Sequence, residues 1–166
     1  MIPRADEKQI AINLNSLLVV DLDGLAKSCD MNRTHFMLSI IMTWLSALGE
    51  SNMPGLFYIT SLLRVRENQM NGNHAYEHEF TESCIPEKTL PMKFTESTIH
   101  SINSFASVNH ISRHLLLKTM VIVGIEELIE LTDRKPFEFA EIEPALHKAF
   151  CNIMGKGFKA FKTFIK

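Results

Sequence analysis

The sequence predicts a mostly helical protein in which two strand-helix-helix units of one chain share a short two-stranded sheet, with extra helices packed around them. Three observations support this prediction. The hydrophobic period changes twice within residues 8–48, the same pattern returns from residue 88 onward without a gap, and the flanking segments have helical spacing or turn composition. Hydrophobic residues make up 46% of the 166 positions, which is enough for a substantial core in one domain or two small ones.

The first unit is predicted from its periods and its capping residues. Asn15 or Ser16 can cap a first helix that follows a short strand, and Asn32 can cap a second helix that ends at Gly49. The apolar positions alternate in the strand, at Ile10, Ile12 and Leu14. They have helical spacing in the first helix at Leu18, Val19, Leu22, Leu25 and Ala26, and in the second at Phe36, Met37, Ile40, Ile41, Trp44, Leu45 and Leu48.

The second unit is predicted because the first cannot close a core alone. A single strand leaves both backbone edges unpaired, and about forty residues bury too little surface. The repeat offset, which places Lys8 on Lys88, supplies the missing copy in one ungapped register. The same offset aligns Ile10 with Leu90, Ile12 with Met92, Leu14 with Phe94, Val19 with Ile99, Leu22 with Ile102, Leu25 with Phe105, Asn32 with Ser112, Arg33 with Arg113, Phe36 with Leu116 and Ile40 with Met120.

The remaining segments are predicted as additions to these two units. A helix is expected at 56–70, with Pro54 as a helix-start residue, and one or two amphipathic helices are expected at 137–165. The apolar positions of the first of these helices are Leu56, Ile59, Leu62 and Leu63. The predicted division of the chain is 1–49 for the first unit, 50–87 for a connecting helix and acidic loop, 88–132 for the second unit and 133–166 for the basic C-terminal helices.

The order strand, helix, helix resembles the ribbon-helix-helix family of DNA-binding proteins, the Arc and MetJ type. The resemblance rests on the pattern L-N-x-x-L-x-x-x-L-D-x-L-A from Leu14, followed by Asn32-Arg33-Thr34, and it covers about half of the chain. The tandem arrangement is similar to single-chain members such as the TraY-type accessory proteins of conjugative plasmids. The resemblance implies an antiparallel β-ribbon that enters the major groove of double-stranded DNA, and an intramolecular pseudo-dimer.

The resemblance also implies which residues meet DNA. Gln9 and Asn13 can pair with adenine and Lys93 with guanine, whereas Ala11 offers only apolar contact and Pro91 lacks an N–H group. The predicted base-facing residues are Gln9, Ala11, Asn13, Thr89, Pro91 and Lys93. The predicted phosphate-facing residues, at the starts of the second helices, are Asn32, Arg33, Thr34, Ser112, Arg113 and His114.

The function expected from this resemblance is transcriptional regulation, for instance by a repressor, or plasmid or phage DNA processing, with self-association on tandem sites. A simpler interpretation treats the strands as a scaffold and the two arginines as solvated residues beside ordinary helix caps. The net charge of −2 favours the alternative function, a protein-interaction adaptor or inhibitor that keeps the fold without reading DNA. No catalytic arrangement is present in the sequence, so an enzyme is not expected.

Two histidine pairs have the i, i+4 spacing that can hold a metal on a helix. These are His74 and His78, with Cys84 beyond them, and His110 and His114. No carboxylate or second cysteine motif accompanies either pair, so neither a metal nor a cofactor is predicted.

The cysteines and the C-terminal lysines bear on compartment and partners. Three widely spaced cysteines, without a CxxC pair, suit a reducing cytoplasm. The resemblance to the ribbon-helix-helix family implies a bacterial or phage context. No signal peptide or transmembrane segment is predicted. The Lys-rich tail can bind DNA phosphates, an anionic surface or an acidic protein partner, or can simply pack its phenylalanines on the core. Its lysines are Lys148, Lys156, Lys159, Lys162 and Lys166.

Overall fold

The computed structural model describes residues 7–70, 86–132 and 139–164, and it describes side chains over 7–63, 86–130 and 140–155. These residues form a mostly helical protein with one two-stranded antiparallel sheet, as the sequence predicts. The elements are β1 (Glu7–Asn15), α1 (Ser16–Ser28), α2 (Arg33–Glu50), a 3₁₀ turn (Pro54–Leu56), α3 (Phe57–Met70), β2 (Glu87–Thr95), α4 (Glu96–Val108), α5 (Arg113–Thr132) and α6 (Phe139–Phe164).

The predicted apolar faces of the first unit and of the second strand are buried. The alternation in each strand places three apolar side chains in the core and the residues between them outside. The buried strand residues are Ile10, Ile12, Leu14, Leu90, Met92 and Phe94. Every apolar position predicted for α1 and α2 is buried as well, and the buried residues of both units belong to one hydrophobic cluster.

The two units have matching local structure. The repeat offset relates the bounds of β1 to those of β2, the bounds of α1 to those of α4, and the start of α2 to the start of α5. The turn between the helices contains a non-glycine residue with positive φ in both copies, at Asp30 (54°) and His110 (56°). Equivalent backbone hydrogen bonds close the two turns. The N–H of Met31 donates to the carbonyl of Ala26 at 2.9 Å, and the N–H of Ile111 donates to the carbonyl of Ala106 at 3.1 Å. The repeated sequence pattern therefore corresponds to a repeated backbone conformation.

Helices α2 and α5 approach closely at two reciprocal contacts. The indole Nε1 of Trp44 donates a hydrogen bond to the carbonyl of Met120 at 2.9 Å. Beside it, a Cβ atom added to Gly124 would lie 2.5 Å from Cγ2 of Ile40 and 3.1 Å from the same Nε1 of Trp44. Ile40 and Met120 are equivalent positions, as are Trp44 and Gly124, so one contact is the counterpart of the other. Trp44 thus lies beside its own equivalent, Gly124, which has no side chain.

The outer helices α3 and α6 close the core around an aromatic cluster. The ring centroids of Trp44 and Phe57 are 5.7 Å apart, those of Trp44 and Phe150 are 5.6 Å apart, and those of Phe57 and Phe150 are 6.0 Å apart. These distances are typical of packed aromatic pairs. Trp44 therefore connects α2 to both outer helices.

The face that α3 buries differs from the face suggested by its apolar spacing. Ile59 is 54% exposed and Leu63 is 41% exposed, whereas Phe57, Thr60 and Ser61 are buried. Both hydroxyl groups donate to the carbonyl of Phe57, at 3.0 and 2.7 Å, which makes their burial tolerable. Because Phe57 packs in the aromatic cluster, the face of α3 that carries Phe57 is turned toward the core.

Asn109 joins the start of α3 to the end of α4. Its Oδ1 accepts from the N–H of Tyr58 at 3.0 Å, and its Nδ2 donates to the carbonyls of Pro54 at 2.9 Å and Phe105 at 2.8 Å. The residue is only 7% exposed. A single buried amide therefore satisfies backbone groups of two separate segments.

Candidate nucleic-acid interface

The two strands form a ribbon with one outward face. Nine residues per strand correspond to a length of about 30 Å, and a two-stranded ribbon is narrow enough to enter the major groove of DNA. The central outward pairs are Gln9 with Lys93, Ala11 with Pro91, and Asn13 with Thr89. Five of these side chains are exposed, and Asn13 is half-buried. All six predicted base-facing residues thus lie on one surface.

The strand register is symmetric with respect to the repeat. Ala11 pairs with Pro91, which is its own equivalent under the repeat offset. On one side of this central pair Gln9 is opposite Lys93, which is the equivalent of Asn13. On the other side Asn13 is opposite Thr89, which is the equivalent of Gln9. The register of the ribbon is therefore centred on the pair Ala11 and Pro91.

Pro91, at the centre of β2, has no N–H group to donate, but the carbonyl of the opposite residue, Ala11, has another hydrogen-bond donor. The Nδ1 of His114 lies 3.1 Å from the carbonyl oxygen of Ala11, and because a carbonyl only accepts, the imidazole donates from Nδ1. The Ala11 carbonyl is thus directed to α5, and the N–H that Pro91 lacks is not needed there. His114, predicted to face phosphate, also anchors the start of α5 to the ribbon.

Asn13 and Thr89 form a hydrogen bond across the outward face. The hydroxyl of Thr89 donates to Oδ1 of Asn13 at 2.9 Å. One acceptor site of the amide is therefore used within the ribbon, while the two Nδ2 hydrogens stay available. In this arrangement Asn13 presents mainly donors, which match guanine or thymine acceptors in the major groove better than the adenine pairing expected from its residue type.

The charge of the outward face is small. Lys93 is the only charged residue among the six predicted base-facing positions. Two acidic side chains near the ribbon ends are paired with lysines: Glu87 with Lys118 at 3.1 Å, and Glu96 with Lys8 at 3.4 Å. Any strong attraction for phosphate must therefore come from the residues beside the ribbon.

The second helix of each unit begins with a side-chain cap, as predicted. Oδ1 of Asn32 accepts from the N–H of His35 at 2.9 Å, and Oγ of Ser112 accepts from the N–H of Leu115 at 3.1 Å. Thr34, the third phosphate-facing candidate of the first unit, is exposed. These caps satisfy one free N–H group at each helix start and leave others available to an anion.

The arginines at these helix starts have different surroundings. Arg33 makes two hydrogen bonds to Asp23 on α1, from Nε to Oδ1 and from Nη2 to Oδ2, both at 2.6 Å. The hydrogen bond from Arg33 lowers the pKa of Asp23, with a smaller contribution from the charge of Lys88, and the same pair raises the pKa of Arg33. Arg113 is exposed, and no ion pair involves it within the described ranges.

The contacts of Asp23 and His114 were not predicted from the sequence. Asp23 is ten residues from Arg33 and on another helix, and His114 is 103 residues from Ala11. Neither separation corresponds to a helical or strand period. A signal for the first contact does exist, because the repeat offset aligns Asp23 with Asn103 and reveals a charge present in only one copy.

No group of three or more metal-ligating side chains occurs among the residues described. His110 lies in the turn before α5 with positive φ, and Nδ1 of His114 donates to the carbonyl of Ala11. The other predicted pair, His74 and His78, and Cys84 lie outside the described residues.

The C-terminal helix α6 presents Lys148 to solvent, whereas the side chains of the later lysines lie outside the described ranges. Among the helices of the described segments, none has the length and apolar character needed to cross a bilayer.

A scan against protein-family models, a search of curated proteins and a search of solved structures each find no match to this chain.

Proposed function

We propose that this chain binds double-stranded DNA as a single-chain ribbon-helix-helix protein, in which the two units form an intramolecular pseudo-dimer. In this proposal the outward face of the ribbon enters the major groove, and the starts of α2 and α5 contact phosphates on either side. The role served is transcriptional regulation, or the handling of plasmid or phage DNA, in a bacterial cytoplasm. Several molecules bind side by side on tandem sites, because one ribbon contacts only a short sequence.

The symmetric register of the ribbon is the observation that carries this proposal. A two-stranded ribbon centred on Ala11 and Pro91 presents equivalent residues to the two halves of a DNA site. The reciprocal contacts of Trp44 with Met120 and Ile40 with Gly124 support the same two-fold relation in the helices beneath it. Since the even-numbered apolar residues of both strands lie in the core, the odd-numbered residues between them face outward, where they can serve recognition.

Residues beside the ribbon supply the expected phosphate contacts. Arg33 and Arg113 occupy equivalent positions at the starts of α2 and α5, next to free backbone N–H groups. The contact of His114 with Ala11 couples one helix start directly to the strand that would read bases. Base-reading and phosphate-binding groups would therefore approach DNA as one rigid surface.

The proposal is tested by selecting bound sequences from a random duplex library and then measuring affinity for the selected duplex by fluorescence anisotropy. The expected site is approximately dyad-symmetric with unequal halves, since the two strands carry different outward residues. Gln9 and Lys93 are opposite each other and exposed. The double variant Q9A/K93A is expected to weaken binding at least about tenfold, the loss of one good base contact.

The matched control is K27A/N52A, which removes one exposed lysine and one exposed amide outside the ribbon and outside the Lys-rich tail. Its affinity is expected to remain within about twofold of the wild-type value, because surface positions outside an interface contribute little. Failure to enrich any duplex, or equal losses in the two double variants, would overturn the proposal.

The small charge of the outward face favours a second candidate, a protein-interaction adaptor that keeps the fold. Lys93 is the one cation among the six candidate base-reading residues. This candidate gains support if the wild-type chain binds no duplex even at about 50 mM salt, where electrostatic contacts to phosphate are strongest.

A further inference from the structure

The two candidate phosphate-binding arginines are equivalent in sequence position but differ in electrostatic state. Two nitrogen atoms of the Arg33 guanidinium are engaged by Asp23 at 2.6 Å, and the two side chains are 35% and 47% exposed. In the second unit the position of Asp23 is occupied by Asn103, which carries no charge. The charge of Arg33 is therefore balanced by the carboxylate of Asp23, whereas no acidic residue occupies the equivalent position beside Arg113.

This pairing has a direct consequence for a phosphate that approaches α2. The guanidinium of Arg33 would have to exchange a bidentate carboxylate, its best-matched protein partner, for the phosphate. The carboxylate released would remain close to the phosphate and repel it. At Arg113 no carboxylate has to be displaced from the equivalent position on α4, because Asn103 stands there.

The pair makes at most a modest contribution to the stability of the fold. It is bidentate, but both partners are substantially exposed, and exposed ion pairs contribute only modestly to stability in water. Asp23 and Arg33 do connect α1 to α2, but the buried apolar faces of these helices already hold them together. The Asp23–Arg33 pair can therefore act mainly on the charge of the DNA-facing surface.

We infer that Asp23 acts as an intramolecular competitor for DNA phosphate, so that Arg113 contributes a full phosphate contact and Arg33 does not. The inference rests on the proposed DNA-binding function and concerns the same surface. The two units then contact DNA unequally, and the second unit binds the DNA phosphate backbone more strongly. It also identifies one residue, Asp23, that limits affinity without touching a base.

The experiment measures affinity for the selected duplex across a salt series in wild type, D23N, R33A and R113A. One gained phosphate contact steepens the slope of log K against log salt by about 0.9. D23N is expected to show this steeper slope, so its affinity gain over wild type shrinks about 3.5-fold between about 50 and about 200 mM salt. R113A is expected to lose about 0.9 from the slope, and R33A is expected to leave it nearly unchanged.

The double variant D23N/R33A separates the proposed mechanism from a simple loss of negative charge. If Asp23 acts by occupying Arg33, the steeper slope of D23N disappears in the double variant. Equal slope losses in R33A and R113A, or a D23N slope equal to that of wild type, would overturn the inference while DNA binding itself stands. Absence of binding in all variants would instead overturn the proposed function. Trp44, the only tryptophan and fully buried, reports by its fluorescence that each variant is folded.

Discussion

The crossing of α2 and α5 provides a sharp test of the packing, because replacing Gly124 with alanine sets two known effects against each other. In a helix interior the substitution alone is worth about 1 kcal/mol of added stability. Here, however, the new Cβ would lie 2.5 Å from Cγ2 of Ile40 and 3.1 Å from Nε1 of Trp44. Ile40 and Trp44 are fully buried, and the indole is held by its bond to the Met120 carbonyl, so neither can move away easily.

Overpacking of such a site costs about 1 to 3 kcal/mol. The expected result is that G124A ranges from neutral to about 2 kcal/mol less stable than wild type, measured by urea unfolding followed through Trp44 fluorescence. The control is G24A, which adds the same methyl group to α1 where nothing lies within 4 Å. It is expected to gain up to about 1 kcal/mol, so the two variants should differ by about 1 to 3 kcal/mol.

A second variant locates the clash. In I40L the side chain no longer branches at Cβ, so the atom nearest to the new methyl group is removed. The double variant I40L/G124A is therefore expected to be more stable than the two single effects add up to, by about 0.5 kcal/mol or more. If G124A is as stable as G24A, the close approach of the two helices is refuted.

Three further outcomes are expected. N109A should lower the free energy of unfolding by about 1 to 3 kcal/mol in urea titrations, because it leaves buried backbone groups without partners, and a loss within error would contradict that role. Cys151 is exposed, whereas burial and the nearby Glu141 raise the pKa of the half-buried Cys29, so iodoacetamide followed by peptide mapping should modify Cys151 before Cys29. The lowered pKa of Asp23 stabilises the fold above the unfolded-state value of about 3.9, and this contribution is lost as pH falls through the folded-state value. Because the pair is exposed, D23N should remove no more than about 1 kcal/mol at neutral pH, and the gap from wild type should close in acid.

The sequence predicts which residues share the outward face of the ribbon, but not which of the candidate polar groups are already hydrogen-bonded or ion-paired. Residues at odd positions of two alternating strands must share a face once the even positions are buried, so the alternation alone assigns Gln9 and Lys93 to one surface. The hydrogen bond from Thr89 that occupies the Asn13 acceptor, and the ion pair that occupies Arg33, depend on side chains brought together by packing. Residue type alone cannot tell whether a polar group is already satisfied.

The sequence by itself determined the elements of this protein and their repetition. Hydrophobic period, caps and turn residues act over a few neighbouring positions, so they are readable without the fold and recur faithfully at Asn32 and Ser112. Only the tertiary structure decided which face of α3 is buried, how closely Gly124 lets two helices approach, and which of two equivalent arginines is neutralised. These features depend on groups that lie on different helices, so the packing of those helices selects the partners and the local sequence pattern does not.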